Sequence, residues 1–296
     1  MADNNKNRVR IMNNIGVIRI HCQDKTGLIA KVTDFIHRYN GSVIALDQHT
    51  DLGEERFFMR VEFSFKRTDI LPDEIRDNFQ KEIATPLVME WSLKFTDQFS
   101  RMAIFISKAS HCLFDLLARY QAGELKVEIP LIVSNHEDLK WVADKFGIPF
   151  YYFPITKESK KQVEKEEMKL LEENRIDFVV LARYMQILSS EFIERYQQRI
   201  VNIHHSFLPA FAGAKPYHAA HARGVKIIGA TGHYVTSELD AGPIIEQDII
   251  HISHHDSIDS LVQKGKDVEK LVLFRAVKAH IEEKTLVYKN KTIIFM

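Results

Sequence analysis

The sequence predicts an α/β protein of two domains: a small N-terminal α+β unit over residues 10–96 and a larger C-terminal domain over residues 100–296, built on a mostly parallel sheet. Three observations carry this. At 296 residues the chain is longer than one core of about 150 residues. Up to residue 95 the apolar periods run strand, helix, strand, strand, helix, strand. From residue 102 strand and helix alternate singly, as in parallel sheets covered by helices on both faces.

In the first domain, residues 1–12 read as a polar lead, and Asn14–Cys22 alternates like a strand. Asp24-Lys25-Thr26-Gly27 makes a turn and helix start, after which Leu28, Ile29, Val32, Phe35 and Ile36 recur at helical spacing. Asn40-Gly41 stops that helix. Ser42–Asp51 and Glu54–Phe65 read as strands joined by a glycine-containing turn. Leu71-Pro72-Asp73 opens a second helix, and Leu87–Phe95 reads as the fourth strand. The order βαββαβ is that of a ferredoxin-like unit. Thr96–Arg101 is the joint between the domains.

In the second domain the expected strands are 102–106, 127–133, 150–153, 177–182 and 200–204, with helices over 111–120, 138–146, 157–174 and 190–196. A β-rich run over 225–236 and a short strand at 243–245 follow. A helix over 267–282 and a hairpin over 286–296 close the chain. This is a Rossmann-like pattern, in which ligands bind beyond the carboxyl ends of the strands.

Composition removes several function classes. The 40 Lys and Arg balance 40 Asp and Glu, which leaves no electrostatic footprint for nucleic acid. The apolar runs are too short to span a bilayer, and the polar N-terminus lacks the apolar centre of a signal peptide. Cys22 and Cys112 form no CxxC, so free thiols filling the core of a cytoplasmic protein are expected. The rival reading of Cys112, beside His111, is a nucleophile.

Residues 200–245 gather the chemistry. Asn202 and His204 close an apolar strand at spacing two, so both project from one face. Asp240 lies in a loop before Pro243-Ile244-Ile245. An amide and a protonated imidazole hold a developing oxyanion, and a carboxylate orients the imidazole or takes a proton. The bland reading is that Asn202 caps a turn and Asp-Ala-Gly is an ordinary turn. His218-x-x-His221 has helical spacing for a metal, but the His-Glu-x-x-His pattern and a cysteine pair are both missing; no metal or cofactor is expected.

Asn202-x-His204, Ser206-Phe207-Leu208-Pro209, Ile227-Ile228-Gly229-Ala230-Thr231 and Leu239-Asp240-Ala241-Gly242 together resemble the signature of the folate-dependent formyltransferase family. The match points to the branch that hydrolyses 10-formyltetrahydrofolate to tetrahydrofolate and formate, balancing the one-carbon folate pool and supplying formate for purine synthesis. The resemblance implies Asn202, His204 and Asp240 as catalytic residues. It implies Arg183, Tyr184, Met185, Gln186, Ile187 and Leu188 as a segment around the pterin, offering apolar walls and backbone hydrogen bonds. His205, where the wider family often has proline, and Ser206 are candidate substrate contacts, with a satisfied loop histidine as the alternative for His205. Relatives that formylate a phosphorylated amine carry a glycine-rich loop where this chain reads Ser107-Lys108-Ala109-Ser110-His111-Cys112, which points to water as the acceptor.

The first domain resembles an ACT domain, through Asp24-Lys25-Thr26-Gly27-Leu28-Ile29. That resemblance implies homo-oligomers and an amino-acid effector such as glycine or methionine near Asp24, Gly27, Leu28 and Ile29. The partners expected are thus 10-formyltetrahydrofolate, water and that effector, with no nucleic acid and no membrane. Two other functions stay open: formyl transfer to an amine acceptor, and a non-catalytic folate sensor.

Overall fold

The computed structural model describes residues 14–65, 72–96, 99–209 and 216–296. The polar lead, Leu71 before the second helix, part of the joint and residues 210–215 of the chemistry-bearing stretch 200–245 lie outside them. The chain divides into two compact units, residues 1–98 with 295–296, and residues 99–294.

The first unit runs β1 (Asn14–Gln23), α1 (Leu28–Arg38), β2 (Gly41–Asp51), β3 (Arg56–Phe65), α2 (Pro72–Phe79) and β4 (Glu90–Phe95). Its antiparallel sheet has the order β2-β3-β1-β4. Leu28, Val32, Phe35 and Ile36 of α1 are buried, while Ile29 is 38% exposed, so the helix buries a stripe of four apolar side chains rather than five. The fourth strand starts later than Leu87. After α2 a π-helical turn (Gln80–Ala84) and α3 (Thr85–Leu87) carry the helix on, until Val88 closes it in the left-handed conformation.

The second unit runs β5 (Ser100–Ile106), α4 (His111–Gln121), β6 (Val127–Ser134), α5 (Lys140–Phe146), β7 (Phe150–Tyr152), α6 (Lys160–Glu173) and β8 (Phe178–Leu181). It continues with α7 (Ser190–Arg195), β9 (Ile200–His204), α8 (Pro216–Arg223), β10 (Ile227–Tyr234), β11 (Ile244–His251), α9 (Ile258–Ile281) and the hairpin β12 (Thr285–Tyr288) and β13 (Lys291–Ile294). The sheet order is β11-β10-β9-β8-β5-β6-β7. The strands from β9 to β7 pair in parallel, while β10 is antiparallel to both β9 and β11. The order reverses at β5, with β6 and β7 on one side and β8 and β9 on the other, so the crevice beyond β5 and β8 is the switch point where such sheets take ligands.

Two expected boundaries move, and one helix had not been expected. The last long helix starts at Ile258 rather than residue 267: Ser257 caps it by accepting the Ser260 N–H at 3.2 Å, and Leu261 and Gly265 are already buried. The polar run Gln263-Lys264-Gly265-Lys266 hid this turn. The strand at 243–245 extends to His251 along β10, through the half-buried polar run Glu246-Gln247-Asp248 that breaks its apolar pattern. Helix α8 had no apolar stripe to announce it; of its residues after Pro216 only Tyr217 and Ala220 are buried. Among the described residues no helix is long and apolar enough to cross a membrane.

The loop from β10 to β11 is closed by a tight approach. Tyr234 donates its N–H to the Pro243 carbonyl at 2.9 Å, and a Cβ on Gly242 would lie 1.8 Å from the Tyr234 carbonyl oxygen. Gly242→Ala must part these strand ends. It should cost about 1–3 kcal/mol, read as a lower denaturation midpoint. An unchanged midpoint would mean that the approach does not constrain the loop.

Candidate active site

Antiparallel pairing of β9 with β10 sets Asn202 opposite His233 and His204 opposite Thr231. His233 Nδ1 lies 2.9 Å from the Tyr234 carbonyl, which only accepts, so the proton sits on Nδ1. Its Nε2 then offers a lone pair to Asn202 Nδ2 at 3.1 Å. The amide orientation of Asn202 follows from this bond. Burial lowers the pKa of His233 and keeps it in the neutral form that the arrangement requires.

Asp240 sits in the β10–β11 loop in the left-handed conformation, φ 55°. Its Oδ2 is 3.3 Å from His204 Nδ1 and its Oδ1 is 3.9 Å from His233 Nε2. The hydrogen bond from His204 holds the Asp240 carboxyl below its ordinary range, so it is ionised. His204 is buried, and its other nitrogen, Nε2, has no hydrogen-bond partner among the described residues. Ser206 Oγ is likewise buried and unpartnered. The following turn is held by Thr231, whose hydroxyl donates to the Ser206 carbonyl at 2.9 Å and accepts the Leu208 N–H at 3.0 Å. The site is thus an oriented imidazole with one unpartnered nitrogen, an oriented amide and a carboxylate at the carboxyl end of β9 and the loop after β10.

His205 lies beside it, its ring centroid 5.0 Å from that of His204. Burial and then the charge of Arg183 push its pKa down to about 4, so it is neutral at pH 7. Arg183 itself turns toward buried Glu269 of α9, which also holds His111 and Tyr217. Among the described residues His111, Cys112 and Glu269 form the one cluster of potential metal ligands, their donor atoms within 4.8 Å of one another. Both Glu269 oxygens are already engaged, and burial pushes the Cys112 thiol well up, so the thiol keeps its proton and is neither a ready ligand nor a nucleophile. His218 and His221 are both exposed on α8.

The segment 183–188 divides. Tyr184 and Leu188 pack inward with Phe105 and Phe192, so they support the segment rather than face a ligand. Met185 and Ile187 stand about 60% exposed, with Gln186 between them. The Met185 N–H is taken by Ser107 Oγ at 3.0 Å and is not free for a pterin, and the Ile187 carbonyl has one of its two lone pairs taken by Lys160. In the first unit, Gly27 takes φ 88° and Asp24 and Ile29 are exposed at the start of α1, while Leu28 is buried.

A family model described as formyl transferase matches residues 100–277, and one described as ACT domain matches residues 16–76. A formyltetrahydrofolate deformylase of Synechocystis is 48% identical over 285 residues, 96% of this chain and 100% of that protein. The crystal structure of a formyltetrahydrofolate deformylase from Pseudomonas syringae superposes with TM-score 0.91 at 44% identity, covering 98% of this chain and 96% of that one. A phosphoribosylglycinamide formyltransferase from Anaplasma phagocytophilum superposes with TM-score 0.61 at 30% identity over 67% of this chain and 94% of its own. The chain belongs to the formyltetrahydrofolate deformylase family.

In this member of the deformylase family, His233, Tyr217 and Glu269 were not singled out from sequence as site residues. His233 is one of many histidines in its stretch, and Glu269 is one of several charged residues along an expected helix, with nothing local to mark it as buried. Only the pairing register reveals the first, and only the packing of α8 on α9 reveals the others.

Asp240→Asn keeps the shape but cannot hold a proton or a charge beside His204. Turnover should fall by about 10²–10⁴-fold while folate affinity survives; a loss under about tenfold would remove Asp240 from the chemistry. A second expectation concerns Glu167 of α6, fully buried, which accepts from the Tyr184 hydroxyl at 3.2 Å and leaves Oε2 unpartnered. Burial raises its pKa from 4.5 to about 7. Between these values the folded chain keeps a proton that the unfolded chain loses, so this group's contribution to stability falls as pH rises through that window. Glu167→Gln should therefore gain stability relative to the parent on going from about pH 5 to about pH 8, measured as urea midpoints. An equal difference at both pH values contradicts this.

Proposed function

We infer that the protein hydrolyses 10-formyltetrahydrofolate to tetrahydrofolate and formate. The observation that carries the reading is the Asn202, His204, Asp240 set, with His204 Nε2 buried and unpartnered, in a chain alike over its whole length to deformylases. Water attacks the formyl carbon, a C–O bond forms and the C–N10 bond breaks. Asn202 and the protonated His204 hold the oxyanion, in an environment from which bulk water is excluded. Asp240 supports the charged imidazole, orients the water and passes a proton to N10, which leaves as the amine. Met185, Gln186 and Ile187 form the exposed rim offered to the pterin. A cleft lined by Lys157, Lys160, Lys161 and Lys165, with Glu164 and Glu191 among them, borders this rim, and its excess of cations suits the carboxylates at the glutamyl end of the folate.

The chemistry draws on no metal or cofactor, since the amide and imidazole polarise the carbonyl. The protein works in the cytoplasm, and its formate feeds purine synthesis. Its ACT unit pairs copies into a homo-oligomer; edge strand β2 supports this, with Val43, Ile44 and Leu46 exposed and one edge unpaired in its sheet. An amino acid such as glycine or methionine binds where Gly27 bares the first N–H groups of α1, and activity responds to it.

One assay tests the core of this. Formate should appear from 10-formyltetrahydrofolate with no amine added, and exhaustive chelation should leave the rate unchanged. Formate-free binding would make the protein a sensor, and turnover that waits for an amine would make it a transferase. Activity lost to chelator and restored by zinc would bring a metal into the mechanism. In the same assay a panel of amino acids should include one that both binds and shifts the rate; a panel without effect leaves the ACT unit with assembly alone.

A further inference from the structure

The crevice at the switch point of the sheet is filled by the chain's own side chains. Glu269 is 1% exposed at its centre. Its Oε2 takes His111 Nε2 at 2.7 Å and lies 3.5 Å from Arg183 Nε, and its Oε1 accepts the Tyr217 hydroxyl at 2.6 Å. The partners come from the loop edges where a ligand would enter: His111 opens α4 after β5, Arg183 follows β8 at φ 66°, and Tyr217 lies on α8. Gly265 makes room for the last, since a Cβ there would stand 2.1 Å from the Tyr217 hydroxyl. Burial pushes the Glu269 pKa up, but the His111 hydrogen bond and the Arg183 charge outweigh it and hold the carboxyl ionised. Removing a partner from such a buried charge is costly, so the network is rigid. None of its members takes part in the attack of water described above.

This network reaches the catalytic residues. The Tyr217 ring centroid is 6.2 Å from that of His205, which is 5.0 Å from His204. The same fold is found in a protein named as a phosphoribosylglycinamide formyltransferase, so the fold itself does not bar an amine acceptor. Something particular to this chain must do so.

We propose that the Glu269 network selects the acceptor. It occupies the side of the crevice from which an amine would approach the formyl carbon and leaves room beside His204, His205 and Ser206 for water alone. The unpartnered His204 Nε2 and Ser206 Oγ are the kind of groups that a single water satisfies. With the space open, an amine nitrogen would attack the formyl carbon, the C–N10 bond would break and the amine proton would pass to N10. The products would be a formamide and tetrahydrofolate, in place of formate and tetrahydrofolate. The proposal rests on the hydrolytic reading.

The test measures partition rather than rate. The full-length protein is given 10-formyltetrahydrofolate with a ¹³C formyl group, in the presence of glycinamide and, separately, phosphoribosylglycinamide. The ratio of formylated amine to formate is read by NMR. The parent should yield formate alone. Arg183→Gly, relaxed at this left-handed position, and Tyr217→Ala each remove bulk and should raise the ratio by at least about tenfold. Tyr217→Phe keeps the bulk and should match the parent. A ratio unchanged in either opened variant, with its thermal transition retained, overturns the proposal, as does a Tyr217→Phe ratio equal to that of Tyr217→Ala. If Tyr217→Ala does not fold, Arg183→Gly alone decides. A parent that releases no formate without amine is a different result; it removes the hydrolytic reading and takes the proposal with it.

Discussion

The pairing of β9 with β10 is the constraint on which the active site depends. One strand brings Asn202 and His204, the other brings His233 and leads into the loop of Asp240. A slip of one residue would turn Asn202 and His204 to the opposite face. The orientation of the catalytic groups then descends from the backbone. The Tyr234 carbonyl sets the tautomer of His233, His233 sets the amide of Asn202, and Asp240 sets the ring of His204. Gly242 allows the loop to close tightly enough for the last step.

Three carboxyl groups in this unit show how surroundings assign roles. Asp240 is partly buried against two histidines and stays charged, with one side toward the crevice. Glu269 is wholly buried and stays charged, with each oxygen accepting one hydrogen bond, from His111 and from Tyr217, and Arg183 as an ion-pair partner. Glu167 is wholly buried with a tyrosine hydroxyl but no cation beside it, and so holds its proton to about pH 7. The first is placed for chemistry, the second for shape, the third for supporting Tyr184 behind the exposed Met185 and Ile187.

Water is a weak nucleophile and a small one, so a hydrolase must both activate it and keep better nucleophiles out. Activation draws on groups at the end of β9. Exclusion draws on side chains from α4, α8, α9 and the end of β8, elements far apart in sequence. A site that discriminates by filled space needs those side chains held rigidly, and a buried carboxylate with several hydrogen-bonded partners supplies that rigidity.

The order of most strands and helices, the division near residue 98 and the candidate trio Asn202, His204 and Asp240, which the fold brings together, were legible in the sequence, because period, turn residues and a short linear signature are local properties. Asn202-x-His204 and Leu239-Asp240-Ala241-Gly242 carry their chemistry within a few residues each. Helix α8 was not legible, since its apolar positions are too few to make a stripe, and the first turns of α9 were hidden by the polar run Gln263-Lys264-Gly265-Lys266 that follows them. Tertiary structure alone decided which of the many histidines matter. His233 is singled out by the strand opposite it, and His111 by a glutamate 158 positions away in the chain. It also decided that Arg183 faces Glu269 and that Tyr184 and Leu188 turn to the core. The physical reason is that ion pairing and burial depend on which side chains meet in space, and a linear pattern records only which ones follow each other.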